Sequence, residues 1–272
     1  MPSRPSQIEI IVVDQNADDR LVELLQGHEW PFPIMHLTTP GKTGASRARN
    51  AGTPHAKGSY IVFADDDCWY PPGLFADVES FFRTTGVDIV SGRAANESGR
   101  SINSRFETTI QQVERHNVWT TSIEWMLFFR REILSELGGF DEQLGPGANS
   151  PWQAAEGQDI VLHALAKGYS SAYNPDLIGH HAELDIVTPD ARQLAKSRAY
   201  ARAMGVVLAR HHYGLASIVY WTIRPLLAAS LHAGTGNIWR ARYYLSVAQG
   251  RLEGWLPRHS SKPRLVSRAR VE

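Results

Sequence analysis

A short run of strand-forming residues that ends in three consecutive carboxylates is the feature that most constrains this chain. Residues 61–63 are Ile-Val-Phe, and Asp65, Asp66 and Asp67 follow after a single alanine. The apolar run predicts a buried strand, and the Pro-Pro-Gly sequence at 71–73 predicts where that segment closes. Charged side chains at a strand end, and not within it, indicate a sheet edge that meets polar ligands.

Three neighbouring carboxylates repel one another, and a hard divalent cation with oxygen ligands would relieve that repulsion. If the chain stays extended, Asp65 and Asp67 share one side of the strand and Asp66 faces the other. Mg²⁺ typically takes one or two protein carboxylates and completes its shell with substrate phosphates, so the triplet points to a nucleotide-diphosphate substrate. The alternative is a solvated acidic turn in which Asp66 or Asp67 caps a helix.

Strand and helix patterns alternate along the first part of the chain. Strands are expected at 8–14, 34–39, 60–63 and 87–91, with helices at 20–26, 46–57 and 72–83 between them. This order predicts an α/β fold with a mostly parallel open sheet flanked by helices. Ligands of such sheets collect outside the carboxyl ends of the strands, where Asp14, the loop 41–46 and the three aspartates would lie.

Helical composition dominates after residue 188, with Gly214, Gly234 and Gly236 as natural breaks between three helices. We therefore expect a catalytic α/β domain at 1–188 and a helical region with a basic tail at 189–272. The apolar segment 215–234 contains Arg224, Pro225 and His232, so it predicts a buried or interface-lying helix and not a membrane span.

Composition excludes several classes of protein. The 28 Lys and Arg residues balance 28 Asp and Glu residues, so no global field attracts the chain to nucleic acid or to anionic lipid. The basic stretch 251–270 is either a solvated tail or a membrane contact. Cys68, the single cysteine, excludes an intramolecular disulfide and is either a small buried filler or a reactive thiol. Residues 1–7 lack the apolar core of a secretion signal.

Four blocks in a fixed order carry a resemblance to a known family. The chain resembles the family 2 glycosyltransferases, inverting enzymes of GT-A fold that use nucleotide-sugar donors. The blocks, which span residues 8 to 181, are Ile11-Val-Val-Asp14, then Gly44–Gly52 followed by Gly58–Asp67, then Gly138-Gly-Phe-Asp-Glu142, and finally Glu156-Gly-Gln-Asp159 running on to His180.

The resemblance implies roles for the donor-binding residues. Asp14 would meet the nucleoside, and the alternative is an Asp that only forms the turn after the strand. Arg49 would pair with Asp14 or with the pyrophosphate, because a guanidinium fork suits both. Asp65 would approach the ribose or the metal and Asp67 would bind the divalent cation, with Asp66 between them.

The resemblance also implies a metal-binding histidine and a catalytic base. A histidine after the last strand completes the metal shell in the family, which makes His180 or His181 the candidate; a structural role is the alternative for both. Asp159 would be the general base that deprotonates the acceptor hydroxyl, unless it only caps the following helix.

The family usually opens with a strand and a helix ahead of the strand that ends in Asp14, and only residues 1–7 precede that strand here. The missing strand would lie between the Asp14 strand and the Asp67 strand. We expect an unpaired gap at that place unless another segment, or residues upstream, fill it. Each unpaired buried backbone group would cost about 1 to 3 kcal/mol.

The implied activity is metal-dependent transfer of a sugar, with Mg²⁺ or Mn²⁺ and a UDP-sugar as the favoured donor. The acceptor would be a saccharide or lipid-linked saccharide in cell-surface polysaccharide or glycolipid synthesis. The protein would act in the cytoplasm, at the inner face of the membrane, with the C-terminal helices as the membrane contact. The alternatives are a nucleotidyltransferase-type nucleotide-sugar enzyme and a truncated, non-catalytic relative that binds nucleotide sugar.

Overall fold

The computed structural model describes residues 8–102, 104–182 and 190–256. The strands are β1 (Ile10–Asp14), β2 (Ile34–Thr38), β3 (Tyr60–Val62), β4 (Cys68–Trp69), β5 (Ile89–Ala95), β6 (Gln111–Gln112), β7 (Leu127–Arg130) and β8 (Ser171–His181). The helices are α1 (Val22–Gln26), α2 (Ala45–Gly52), α3 (Leu74–Thr85), α4 (Val118–Thr121), α5 (Arg131–Leu137), α6 (Glu156–Ala166), α7 (Ala191–Arg210), α8 (Leu215–Gly234) and α9 (Ile238–Trp255).

The predicted α/β sheet with helices and a C-terminal helical region is confirmed. Six strands form one sheet with the order β3-β7-β5-β8-β4, and β6 pairs with β8. The pairing is mixed and not mostly parallel: β5 and β8 run parallel, but β7 lies antiparallel between β3 and β5. Sequence order could not show this insertion, because β7 comes after β5 in the chain and yet separates β5 from β3.

A separate two-stranded parallel sheet carries Asp14. In the described part of the chain β1 pairs only with β2, and β3 pairs only with β7. The two sheets therefore part at the place where the resemblance puts its additional strand. The Glu9 carboxylate accepts hydrogen bonds from the backbone N–H groups of Lys57 and Gly58, at 2.6 and 2.8 Å, and so ties the start of β1 to the segment before β3.

The main hydrophobic core lies between the six-stranded sheet and α3. Apolar side chains at i, i+4 and i+8 of α3 point inward, as an amphipathic helix requires. They pack against residues of β5, β7 and β8 and of the segment before β7. The buried members of this core are Leu74, Val78, Phe82, Val87, Val90, Ala94, Ile102, Ile123, Trp125, Met126, Phe128, Ala172 and Leu177.

The chain divides into two compact units. Within the described residues, one holds 8–142 and 156–182, and the other holds 143–155 and 190–256. The three predicted C-terminal helices are present, and Gly214, Gly234 and Gly236 lie at their ends as expected. The predicted boundary at residue 188 lies outside the described residues. Over those residues, no helix combines the length and the apolarity needed to cross a membrane.

Helices α7 and α9 pack closely because small residues lie where they cross. Gly254 has no side chain, and a Cβ atom there would overlap the carbonyl oxygen of Arg202. We expect Gly254→Ala to lower the free energy of unfolding by about 1 to 3 kcal/mol, the usual cost of overpacking. Chemical denaturation measures the loss. Gly234→Ala is the matched control, since a Cβ atom there meets open space; equal losses for both variants would contradict the packing argument.

Candidate functional site

The three aspartates form a turn and not the continuation of β3. Asp66 and Asp67 occupy the turn, and the N–H of Cys68 donates to the carbonyl oxygen of Asp65. The strict alternation expected for an extended chain therefore does not apply, and Asp65 and Asp67 meet different partners. Cys68 lies behind the turn with its thiol 3.2 Å from the Asp65 carbonyl oxygen. Burial raises the pKa of the Cys68 thiol, which favours the buried filler over the reactive thiol.

Strand pairing brings one of the two candidate histidines to the acidic turn. β4 runs antiparallel to the end of β8, with Cys68 opposite His181 and Trp69 opposite His180. His181 Nε2 lies 3.1 Å from Asp67 Oδ2. His180 instead stacks on Trp69, with 5.6 Å between ring centroids, and its Nδ1 lies 3.0 Å from the carbonyl oxygen of Asn96. The geometry thus separates two residues that the sequence left equivalent.

Arg49 is the centre of the site. Its side chain is 9% exposed, and its guanidinium contacts Glu156 at 2.7 Å and Asp65 at 3.3 Å. Glu156 is the first residue of α6, whereas Asp65 follows β3. One guanidinium therefore links the acidic turn to the helix that carries Asp159. Of the two partners expected for Arg49, Asp14 is wrong, because the Arg49 guanidinium forms its ion pairs with Glu156 and Asp65. The pairing of Arg49 with a pyrophosphate stays a prediction.

The Gly138–Glu142 block positions this arginine. Asn50 on α2 exchanges two hydrogen bonds with the Phe140 backbone, 2.9 Å from its Nδ2 to the carbonyl oxygen and 2.8 Å from the amide nitrogen to its Oδ1. The Phe140 ring then lies 5.5 Å from the Arg49 guanidinium carbon, a cation–π distance. Arg47, two residues before Arg49, faces away and pairs with Glu142 at a partly exposed position.

Glu124 adds a third carboxylate near Arg49. It precedes the core residue Trp125, and α6 approaches it closely: a Cβ atom at Gly157 would lie only 2.9 Å from the Glu124 Cβ. Burial, and next the negative charge of Glu156, raise the pKa of Glu124 to about 7. Burial also raises the pKa of Asp65, against the lowering effect of Arg49. The cluster therefore holds more carboxylates than one arginine can neutralise.

The raised pKa of Glu124 predicts a pH dependence of stability. Between about pH 4.5 and 7 the folded state keeps a proton that the unfolded chain has lost, so the free energy of unfolding falls as pH rises through this window. We expect Glu124→Gln to remove this slope and to gain on the order of 1 to 3 kcal/mol relative to the wild type above pH 7. Urea unfolding across pH 4.5 to 8 measures both chains. If the free energy of unfolding of the wild type and of Glu124→Gln changed with pH in the same way, Glu124 would not have a raised pKa.

Asp14 ends β1 as predicted, and its carboxylate is held by neighbouring residues. Oδ1 accepts hydrogen bonds from the Asn16 backbone N–H at 2.9 Å and from Asn16 Nδ2 at 2.7 Å, and Oδ2 lies 3.1 Å from His36 Nε2. The backbone hydrogen bond from Asn16, followed by His36, lowers the pKa of Asp14 despite its burial. This carboxylate is therefore a fixed, ionised hydrogen-bond acceptor.

Asp159 lies one helical turn after Glu156 and is buried. Residues three apart share a helix face, so Asp159 and Glu156 approach the same side of α6. Gln158, between them in sequence, donates from Nε2 to the Ser122 carbonyl oxygen at 2.8 Å and helps to fix the start of the helix.

The candidate metal ligands are a pair, one carboxylate of the kind that Mg²⁺ and Mn²⁺ take and one imidazole, and not a complete set. Among residues 8–102, 104–182 and 190–256, no three His, Cys, Asp or Glu side chains gather closely enough to hold a metal ion. Asp67 and His181 do meet, and Asp67 remains 65% exposed. Two protein ligands with open positions fit a cation that a bound diphosphate completes.

Two acidic residues of the site were not predicted as site residues. Glu156 stands at the start of the fourth sequence block, and its position there was the available signal. For Glu124 the only signal in the sequence was weak: a carboxylate stands next to a tryptophan in an apolar segment. Trp69, exposed beside the acidic turn, was also not singled out.

A comparison with protein families matches the family described as "Glycosyl transferase family 2" over residues 3–138, half of the chain. The chain is 28% identical over 153 residues to the minor teichoic acid biosynthesis protein GgaB of Bacillus subtilis, a match that covers 53% of this chain and 17% of that protein. Across five curated bacterial relatives, the matches cover between 17% and 67% of the relatives' own length.

Solved structures show the same GT-A fold. The mannosyltransferase PcManGT from Pyrobaculum calidifontis, in complex with GDP-Man and Mn²⁺, has a TM-score of 0.58 and 18% identity, covering 90% of this chain and 77% of that one. S. aureus TarS 1–349 in complex with UDP-GlcNAc has a TM-score of 0.52 and 16% identity, covering 89% and 83%. At these identities the likeness establishes the fold alone.

Proposed function

The chain belongs to glycosyltransferase family 2, and on that basis we propose that it transfers a sugar from a nucleotide-diphosphate donor to a hydroxyl acceptor with inversion. The observation that carries the proposal is the Arg49 bridge between Asp65 and Glu156. A donor bound at the acidic turn would lie close to the helix that carries Asp159. The complexes of structural neighbours with GDP-Man and with UDP-GlcNAc support a nucleotide sugar as donor.

The residues divide into a donor side and an acceptor side. On the donor side, the ionised Asp14 carboxylate would accept a hydrogen bond from the nucleoside, and Asp65 and Asp66 would face the ribose and the diphosphate. Asp67 and His181 would hold a divalent cation, which when bound offsets the charge that grows on the departing nucleotide. We assign this role to His181 and not to His180, because only His181 meets Asp67.

On the acceptor side, Asp159 would remove the proton from the attacking hydroxyl. Inversion requires the hydroxyl oxygen to attack the sugar carbon from the face opposite the nucleotide, so the base and the donor turn must lie on two sides of one sugar. A saccharide or lipid-linked saccharide of the cell envelope is the acceptor that we propose, and the similarity to a teichoic acid biosynthesis protein supports it.

Nucleotide binding tests the donor side directly. By calorimetry, we expect UDP or GDP to bind in Mn²⁺ buffer, and we expect the affinity to fall roughly tenfold or more in EDTA, since the cation offsets the diphosphate charge. His181→Ala should weaken the Mn²⁺-dependent binding to a similar extent. His180→Ala is the matched control, next in sequence but turned toward Asn96. A chain that binds neither nucleotide with or without metal would rule out the proposed transferase.

A further inference from the structure

Among the described residues of the C-terminal unit, one helix face is apolar and exposed. Helix α8 buries Ile218, Thr222, Pro225 and Ala229 along one side. Seven large apolar residues on the helix are between 39 and 66% exposed: Leu215, Val219, Tyr220, Ile223, Leu226, Leu227 and Leu231. At about 100° per residue they span an arc of about 160° on the side away from the buried stripe. We call these seven residues the open face of α8.

The open face is continuous and lacks acidic residues. Over its 20 residues, α8 contains no Asp or Glu, and Arg224 is its only Lys or Arg. Arg224 lies at the edge of the arc, where its guanidinium carbon is 5.3 Å from the Tyr220 ring and 5.8 Å from the Trp221 ring. An arginine beside aromatic rings at the border of an apolar stripe is the arrangement that anchors a helix at a lipid–water boundary.

The net charge of the C-terminal unit indicates which kind of partner binds the open face of α8. Residues 190–256 contain nine Lys and Arg against two Asp and Glu, although the whole chain is neutral. Both acidic residues are used within the unit: Asp190 caps α7, and Glu253 forms ion pairs with Arg198 and Arg202. These arginines lower the pKa of Glu253 to about 2, so it stays ionised and paired. The unit that carries the open face therefore has a net surplus of positive charge.

We propose that the open face of α8 docks on an anionic membrane surface, with α8 lying in the plane of the headgroups. Apolar side chains would enter the boundary between headgroups and acyl chains, and the basic unit would meet the negative surface potential. A second copy docked face to face would instead bring two positively charged units together. The segment 257–272 is a poor cover, because it has five Lys and Arg against three large aliphatic residues.

Vesicle co-sedimentation of the purified chain tests this proposal without donor or acceptor, so its outcome is independent of the proposed transfer reaction. We expect binding to vesicles of phosphatidylethanolamine with phosphatidylglycerol, weaker binding at high salt, and little binding to phosphatidylcholine alone. The double variant Leu227→Glu, Leu231→Glu should weaken binding to the anionic vesicles roughly tenfold or more, because it places two negative charges in the open face of α8.

The control is Leu24→Glu, Ile110→Glu, which makes the same change at two exposed apolar residues of the other unit and should bind as the wild type does. Arg224→Gln supplies a second test, since it leaves the apolar residues in place and should weaken binding to anionic vesicles. Equal binding of the α8 double variant and the wild type would overturn the proposal. A second result would also overturn the proposal: the wild type does not bind vesicles but self-associates, and the double variant abolishes that self-association. The open face of α8 would then be the contact with a second copy.

Discussion

Replacing Asp159 by Asn is expected to lower the turnover number of sugar transfer by roughly 10²- to 10⁴-fold, the usual contribution of a positioned general base. Donor affinity should stay within about twofold of the wild type, because in the proposed function the donor binds at the acidic turn and not at α6. The physical reason is that asparagine keeps the size of the side chain and one acceptor oxygen, but it replaces the second oxygen by an N–H donor and cannot take a proton at neutral pH.

This substitution also separates the catalytic role from a structural one. The expected capping alternative is wrong, because Asp159 lies inside the first turn of α6 and not before it. A carboxylate that only met the helix N-terminus would contribute about 0.3 to 1 kcal/mol of stability, and its loss would leave turnover unchanged. Nucleotide release in the presence of donor and acceptor measures turnover, and calorimetry with UDP or GDP measures donor binding. Asp176→Asn makes the same change at an exposed carboxylate and serves as the control. Parallel losses of turnover and nucleotide affinity in Asp159→Asn would place Asp159 in the donor site or the fold.

Arg49→Met should be the most destabilising single substitution in the site, at about 3 to 5 kcal/mol. Glu156 is only 1% exposed and Arg49 is 9% exposed, so removing the guanidinium leaves a buried carboxylate without its partner. Glu124 and Asp65, which already have raised pKa values, would lose the same positive charge. Urea denaturation with far-UV circular dichroism measures the loss of folding free energy.

Arg47→Met is a close control, because Arg47 lies two residues away on α2 and pairs with Glu142 near the surface. Exposed ion pairs contribute about 0 to 1 kcal/mol, so its variant should unfold almost as the wild type does. If Arg49→Met does not fold, Glu156→Gln and the double variant still measure the pair, since removing both partners should cost less than removing Arg49 alone. Equal effects of the two arginine substitutions would show that the bridge does not stabilise the fold.

Much of the site could be read from the chain because its residues sit at the ends of recognisable elements. Asp14 closes a β-branched run and the three aspartates follow another, and both appear where the strand patterns placed them. The order of the strands in the sheet could not be predicted from the sequence. Pairing of β7 between β3 and β5 depends on contacts between residues far apart in sequence, and local periodicity carries no record of them.

The sequence by itself determined the α/β class, the C-terminal helices and the family, because apolar periodicity and ordered motifs are local properties of the chain. Only the tertiary structure decided which partners the charged residues meet. It directed Arg49 to Glu156 and Asp65 and set Glu124 near that cluster. It also brought His181, and not His180, to Asp67. Pairing of buried charges depends on distance and desolvation, and both exist only once the chain has folded.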